Sequence, residues 1–209
     1  MGMISDADKS SISEALAAME KEVKLVVFSK ENCNFCSETL EICNELSEMG
    51  KKLSIQSYTI EANREESKRY GVDTAPAIII EGKTSGVRFY GLPGGFEFTS
   101  LIEGIIDVSN GTTSLSPETK KSLASLKKNA HIMVFVTQTC PYCPRMVRLA
   151  HMFAVESPMI TADVVQAAEF PDLAMKYKIM AVPAVAINGS KSIEGVKPEE
   201  VFLKKIMEA

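Results

Sequence analysis

Residues 27–36 read Val-Phe-Ser-Lys-Glu-Asn-Cys-Asn-Phe-Cys, and residues 134–143 read Val-Phe-Val-Thr-Gln-Thr-Cys-Pro-Tyr-Cys. Each stretch begins in a short apolar run of the parallel-strand type, 23–29 and 132–137, and ends in two cysteines separated by two residues. Beyond the cysteines the apolar spacing becomes helical, over 35–49 and 142–156. A step of 107 residues takes Cys33 to Cys140, Cys36 to Cys143, Phe28 to Phe135, Tyr70 to Tyr177, Pro76 to Pro183, Ile80 to Ile187 and Gly82 to Gly189. Seven matches in one ungapped register make the chain an internal repeat.

Working outward, the same order of elements is predicted in both copies. A helical lead-in covers 12–22 and 116–128, the second opened by Ser116-Pro117-Glu118-Thr119. After the cysteine helix comes a second strand, 53–60 and 160–165, then a short polar helix ending near Tyr70 and Tyr177. A third strand follows Ala75-Pro76 and Val182-Pro183, with hairpin turns at Glu81-Gly82-Lys83 and Asn188-Gly189-Ser190. Closing helices are expected over 97–108 and 198–207. This alternation indicates the α/β class, with a central mixed sheet flanked by helices in each copy. Ser109-Asn110-Gly111-Thr112-Thr113-Ser114 has linker composition, so the expected units are 1–111 and 112–209, each large enough for its own core.

A CxxC at a strand-to-helix junction has a chemical use. The first sulfur lies beside unpaired N–H groups at the positive end of the helix dipole, where a thiolate is stabilised. The second is one turn on, in reach of a mixed disulfide. Cys33 and Cys140 are therefore the expected attacking thiols, and Cys36 and Cys143 the resolving thiols. Pro76 and Pro183 start strands, are expected in the cis form, and would hold Ala75 and Val182 against the cysteine loops as backbone partners for a substrate chain. Phe35 and Tyr142, inside the pairs, join the candidate substrate-binding residues. Glu31 and Glu38 flank the first pair, whereas Arg145 and Arg148 follow the second with no acid nearby in sequence. At roughly 8 Å each charge is worth about 0.5–2 kcal/mol, which makes Cys140 the expected more acidic thiol.

The repeat, Cys33-Asn34-Phe35-Cys36, Cys140-Pro141-Tyr142-Cys143 and the run Arg88-Phe89-Tyr90-Gly91-Leu92-Pro93-Gly94-Gly95-Phe96-Glu97-Phe98 resemble the glutaredoxin-like protein disulfide oxidoreductases of archaea and some bacteria. The resemblance covers nearly the whole chain. It implies two tandem thioredoxin-like units and dithiol–disulfide exchange with protein substrates, in the reductase, oxidase or isomerase sense. It also implies redox-active disulfides without a tightly bound cofactor, re-reduced by an external NADPH- and flavin-dependent partner of the thioredoxin reductase type. The amino-terminal region of alkyl hydroperoxide reductase flavoproteins is a related tandem arrangement that normally keeps one active pair; here both are present. Two departures stand out. Asn188-Gly189-Ser190-Lys191 replaces the Gly-Gly and acidic turn with which glutaredoxins bind glutathione. Val27 and Val134 occupy the strand position at which thioredoxin carries a buried acid, so a proton relay must use another residue.

Composition fits this reading. Hydrophobic residues make up 45% and charged residues 24%, as in ordinary globular proteins, and the formal charge of -4 comes with scattered Lys and Arg, against a nucleic-acid surface. The first residues, MGMISDADKSS, are polar and acidic, unlike a secretory signal, and no run of about 18 apolar residues suggests a membrane span. The expected location is cytoplasmic. Cys43 matches Ala150 in the repeat and reads as a small buried hydrophobe, and neither His131 nor His151 is placed to form a Cys–His nucleophile. Two other roles fit CxxC pairs: a four-cysteine zinc site shared between copies, and a thioredoxin-fold module that binds without catalysis.

Overall fold

The computed structural model describes residues 2–209. In chain order the elements are α1 (Asp6–Leu16), β1 (Val23–Ser29), α2 (Cys36–Met49), β2 (Leu53–Thr59), α3 (Arg64–Tyr70), β3 (Ala77–Glu81), β4 (Val87–Tyr90) and α4 (Glu97–Asn110). The order then repeats as α5 (Pro117–Ala124), β5 (Ala130–Val136), α6 (Cys143–Glu156), β6 (Ile160–Gln166), α7 (Pro171–Lys176), β7 (Ala184–Ile187), β8 (Ser190–Glu194) and α8 (Glu199–Glu208).

All eight strands form one sheet in the order β2-β1-β3-β4-β6-β5-β7-β8. Within each copy the first and second strands run parallel, while the third and fourth are added antiparallel. The copies meet where β4 pairs parallel with β6, from Val87 opposite Ala162 to Tyr90 opposite Val165. β1 and β5 therefore point the same way, and both cysteine pairs follow the carboxyl ends of strands at one edge of the sheet.

The residues that define the repeat are those that pack. Successive strand residues face opposite sides, so Leu25, Val27, Ile78, Ile80, Phe89 and Val134 form one core with the inner faces of α1, α2, α4 and α6. Val26, Phe28, Ile79, Met133 and Phe135 form the other, under α3 and α7. There Phe28 meets the Tyr70 ring edge-on at 5.8 Å and Phe135 meets Tyr177 at 5.5 Å, so four of the matched residues make the same contact twice. Fully burying each Phe contributes about 1.5–3 kcal/mol.

Three local expectations need correction. The first lead-in helix starts earlier than residue 12, because the Ser5 hydroxyl accepts the Asp8 N–H at 3.2 Å and caps it; it ends at Leu16. The first hairpin connection spans 82–86 rather than a tight turn, whereas Asn188-Gly189, both left-handed at φ 47° and 86°, closes the second. A Cβ on Gly86 would lie 2.6 Å from the Ile160 carbonyl oxygen, so this glycine lets the second copy approach. The expected linker also begins later, since α4 continues through Ser109 and Asn110, which bond the Lys21 and Glu20 N–H groups at 2.9 and 3.0 Å, and stops at left-handed Gly111.

Side chains lock the seam between copies. Arg88 Nε donates to Asp163 Oδ1 at 2.6 Å, its Nη2 to Oδ2 at 3.2 Å and its Nη1 to the Tyr70 carbonyl at 3.0 Å. His131 Nε2 also bonds Asp163, at 2.6 Å. The Asp163 side chain is 4% exposed and that of Arg88 12%, so removing either leaves the other buried without its two-point ionic partner. Asp163→Ala or Arg88→Met is expected to destabilise the chain by about 3–5 kcal/mol. Asp6→Ala, at a surface pair in which Asp6 is almost fully exposed, should leave the urea midpoint nearly where it is. Equal midpoints for all three variants would show that the seam does not depend on this pair.

Candidate active sites

Each cysteine pair occupies the loop between a parallel strand and the helix it feeds. Cys33 follows β1 and Cys36 is the first residue of α2; Cys140 follows β5 and Cys143 is the first residue of α6. Both pairs are disulfide-bonded, with Cα separations of 5.6 and 5.5 Å. Cys33 is partly exposed, Cys36 and Cys140 are each 9% exposed, and Cys143 is fully buried. In each pair the first sulfur is thus the outer one, and the second starts a helix whose first-turn N–H groups have no intrahelical partner. The Ala75–Pro76 and Val182–Pro183 peptide bonds are both cis, as the sequence reading expects. Phe35 and Tyr142 stand out from the two loops, 40% and 63% exposed.

The two loops are not copies in detail. Asn32 and Phe35 adopt left-handed φ values of 51° and 63°, a region that non-glycine residues seldom enter. Tyr142, by contrast, is right-handed at φ -95°, in a loop where Pro141 restricts the backbone.

The charge contrast drawn from sequence holds only in part. Glu31 and Glu38 do flank the first pair. Arg148, however, is not free of acids: its Nε lies 3.0 Å from Glu103 and its Nη atoms pair with Asp107, both on α4. These carboxylates are distant in sequence and come close only because α4 packs on α6. Arg145 is left as the exposed cation nearest the second pair in sequence.

The same packing brings in a residue the sequence reading missed. Glu97, in the first turn of α4, is fully buried, and its side-chain oxygens make no hydrogen bond among the described residues. Burial pushes its carboxyl up to about 7. Its level against α6 follows from neighbouring contacts. The Phe96 N–H donates to the Gln138 carbonyl at 3.1 Å, and a Cβ on Gly104 would lie 3.3 Å from His151 Nδ1. The two helices therefore run in the same direction, and Glu97 is level with the start of α6, the helix that Cys143 opens. A signal for it was available: Glu97 precedes the buried Leu101 and Ile105 by four and eight residues, on the apolar face of its helix. Its repeat counterpart is the exposed Lys204, so the acid belongs to one side of the repeat only.

The remaining candidates fall as expected or outside the sites. Cys43 is fully buried, and burial pushes its thiol up to about 12. His151 is buried against the Phe89 ring, with its imidazole driven down to about 3 by burial and then by Arg148. A four-cysteine metal site is excluded by geometry. The pairs follow β1 and β5, four strand steps and roughly 19 Å apart, far beyond what one ion with bonds of about 2.3 Å can join. Among the described residues no helix is long and apolar enough to cross a membrane.

With this geometry in view, comparison with known proteins is informative. The thioredoxin domain family matches residues 130–208. A solved protein disulfide oxidoreductase from Aeropyrum pernix superposes with a TM-score of 0.91 at 36% identity, covering 97% of this chain and 91% of that one. The NTD_N/C domain of alkylhydroperoxide reductase AhpF from Enterococcus faecalis gives 0.90 at 25% identity, covering 97% and 99%. The F component of alkyl hydroperoxide reductase from Staphylococcus aureus is 30% identical over 95% of this chain. The chain spans between 36% and 38% of the length of the curated relatives it matches. Two cysteine pairs on one thioredoxin-type sheet, and likeness over nearly all of the Aeropyrum protein, place the chain in a single family: it belongs to the protein disulfide oxidoreductases.

Proposed function

We propose that both pairs exchange dithiols for disulfides with protein substrates, Cys33 and Cys140 attacking and Cys36 and Cys143 resolving. The observation that carries this reading is the order of burial at each helix start, where the first cysteine of each pair is more exposed than the second that opens the helix. In the reducing direction the outer thiolate attacks one sulfur of a substrate disulfide. That bond breaks, a mixed disulfide forms, and the departing substrate sulfur takes a proton. The inner cysteine, once deprotonated, attacks its outer neighbour and expels the second substrate sulfur, which is protonated in turn. The substrate gains two electrons and two protons, and the pair is left as a disulfide. The same steps run backwards oxidise a substrate.

Ala75 and Val182, beside the cis prolines, and the protruding Phe35 and Tyr142 serve as substrate-binding residues in this reading. Residues 1–111 and 112–209 act as its two thioredoxin-like units. Arg145 beyond the second pair, against Glu31 and Glu38 beside the first, makes Cys140 the more acidic outer thiol. Glu97 is the proton acceptor for Cys143, a role open to a carboxyl held near neutrality. The electron donor is a separate NADPH- and flavin-dependent protein of the thioredoxin reductase type, in the cytoplasm. Relatives named as an NADH dehydrogenase and as the F component of alkyl hydroperoxide reductase support a reductase context, since they hold a region similar to this chain within longer polypeptides.

Insulin-disulfide reduction by paired Cys→Ser variants tests the assignment. Loss of all four cysteines should abolish it, and loss of Cys140 and Cys143 should cost more than loss of Cys33 and Cys36. The opposite ranking, or activity without either pair, would overturn it. Glu97→Gln separates the relay from a packing role. The folded carboxyl titrates above its unfolded value, so ionising it costs stability. That cost is absent below about pH 4.5, grows as pH rises, and is complete above about 7. The glutamine variant should gain about 3 kcal/mol at pH 8 and nothing at pH 4. It should also slow turnover through the second pair at least about tenfold. A stability gain without slower turnover would leave Glu97 structural.

A further inference from the structure

A cleft of about 740 Å³, within the range that holds ligands, opens beside the first cysteine pair, and both copies line it. Phe35 and Pro76 form one side. Phe170 and Leu173, from the segment that leaves β6 and enters α7, form the other. This second wall is anchored. The Glu169 carboxylate accepts the Leu92 N–H at 3.1–3.2 Å, and the Phe170 ring meets Tyr90 edge-on at 6.4 Å.

Strand order explains why only one pair has such a wall. Beyond β1 the sheet continues through β3 and β4 to β6, whose exit overhangs the first pair. Beyond β5 it continues through β7 to the edge strand β8, and among the described residues no further strand takes the place that β6 has beside the first pair. Tyr142 and Met180 there are 63% and 88% exposed.

Charge at the cleft is uneven. Asp73 and Asp172 are exposed on opposite walls and make no hydrogen bond or ion pair among the described residues. Lys30 and Lys176 also line the cleft, against Asp73, Asp172 and the half-buried Glu169. Lys30 Nζ lies 3.5 Å from the Thr74 hydroxyl, and Lys176 Nζ lies 5.6 Å from the centre of the Tyr177 ring. Glu31 and Glu38 add to the acidic side around the pair itself.

We infer that the β6–α7 segment of the second copy is a specificity wall for the Cys33–Cys36 pair, which selects extended polypeptide segments carrying basic residues beside the reacting cysteine. This rests on the redox reading of that pair. The occupant is a polypeptide because the cleft takes in the cis Ala75–Pro76 bond and Asn32, Asn34 and Phe35, the loop residues on either side of Cys33. It is basic because opposing carboxylates favour cations and repel acidic flanks.

The test uses the full chain with Cys140→Ser and Cys143→Ser, reduced, so that only the first pair reacts. Two synthetic peptides, each with one cysteine as a mixed disulfide with 2-nitro-5-thiobenzoate, carry Lys on both sides of that cysteine or Glu on both sides. The dithiol reduces the disulfide, becoming oxidised as peptide thiol and coloured thiolate are released. The ratio of single-turnover second-order rate constants for the basic over the acidic peptide should be at least about fivefold at low salt and should fall as salt screens the rim. Asp172→Asn should lower that ratio, and Asp172→Lys combined with Asp73→Asn should invert it. In the chain retaining only the second pair, the ratio should stay near one with or without the Asp172→Lys change. A ratio unmoved by these substitutions, or moved equally for both pairs, would overturn the wall. Reduction of bis(2-hydroxyethyl) disulfide, small and uncharged, keeps the two readings apart. If the first pair cannot reduce it, the redox assignment of that pair fails, and the wall with it. If it can while the peptide ratio is flat, only the wall fails.

Discussion

The parallel ladder between β4 and β6 is the constraint on which the rest of the molecule depends. Four residue pairs, Val87–Ala162 to Tyr90–Val165, join two strand sets that the chain makes separately. Because the ladder is parallel, β1 and β5 keep the same direction and both cysteine pairs emerge at one edge of the sheet. An antiparallel join would have put them at opposite edges. Main-chain hydrogen bonds carry no preference for partner, so specificity comes from the side chains that cross the seam. Arg88 and Asp163 supply it by pairing opposite, largely buried charges from the two copies. Gly86 supplies it by keeping clear the space that the Ile160 carbonyl needs.

Helix packing across the same seam makes the two copies chemically unequal. α4 closes the first copy in sequence, yet it lies against α6, the helix that carries the second pair. It brings Glu97 to the beginning of that helix and sets Glu103 and Asp107 against Arg148. One of the two cations that appeared available to stabilise a thiolate at Cys140 is therefore engaged elsewhere, and a near-neutral carboxyl lies level with the start of the helix that the inner cysteine opens. In thioredoxin itself such an acid lies on the strand before the cysteines, where this chain has Val27 and Val134. Here it comes from a helix contributed by the other copy, and only one pair receives it.

The inequality runs the other way at the outer surface. The first pair gains a wall from the second copy, while the second pair faces the open edge of the sheet. Each copy thus completes the surroundings of the other's cysteines, by a buried acid in one direction and by a cleft wall in the other. A duplicated unit joined side by side always gives its two members different neighbours, since one has strands beyond it and the other has solvent. Two CxxC sites of common origin can diverge in reactivity and in partner without any change in the cysteines themselves.

Read alone, the amino-acid sequence settles what depends on local spacing. The 107-residue step, the apolar runs before the cysteines, the helical spacing after them and the paired Phe–Tyr and proline positions identify two α/β units with CxxC pairs at helix starts. These features repeat at short range, where strand and helix periods of two and 3.6 residues show directly. Helix and turn ends were less legible, because the Ser5 cap and the hairpin at 82–86 respond to single hydrogen bonds and to close approach of the other copy. What lay outside the reach of the sequence is everything that depends on which faces meet: the β4–β6 join, the pairing of Arg148 with α4, the burial of Glu97 and the wall at Phe170. Those are contacts between residues some 40 to 135 positions apart, chosen by shape and charge in three dimensions, and no local pattern of residues encodes them.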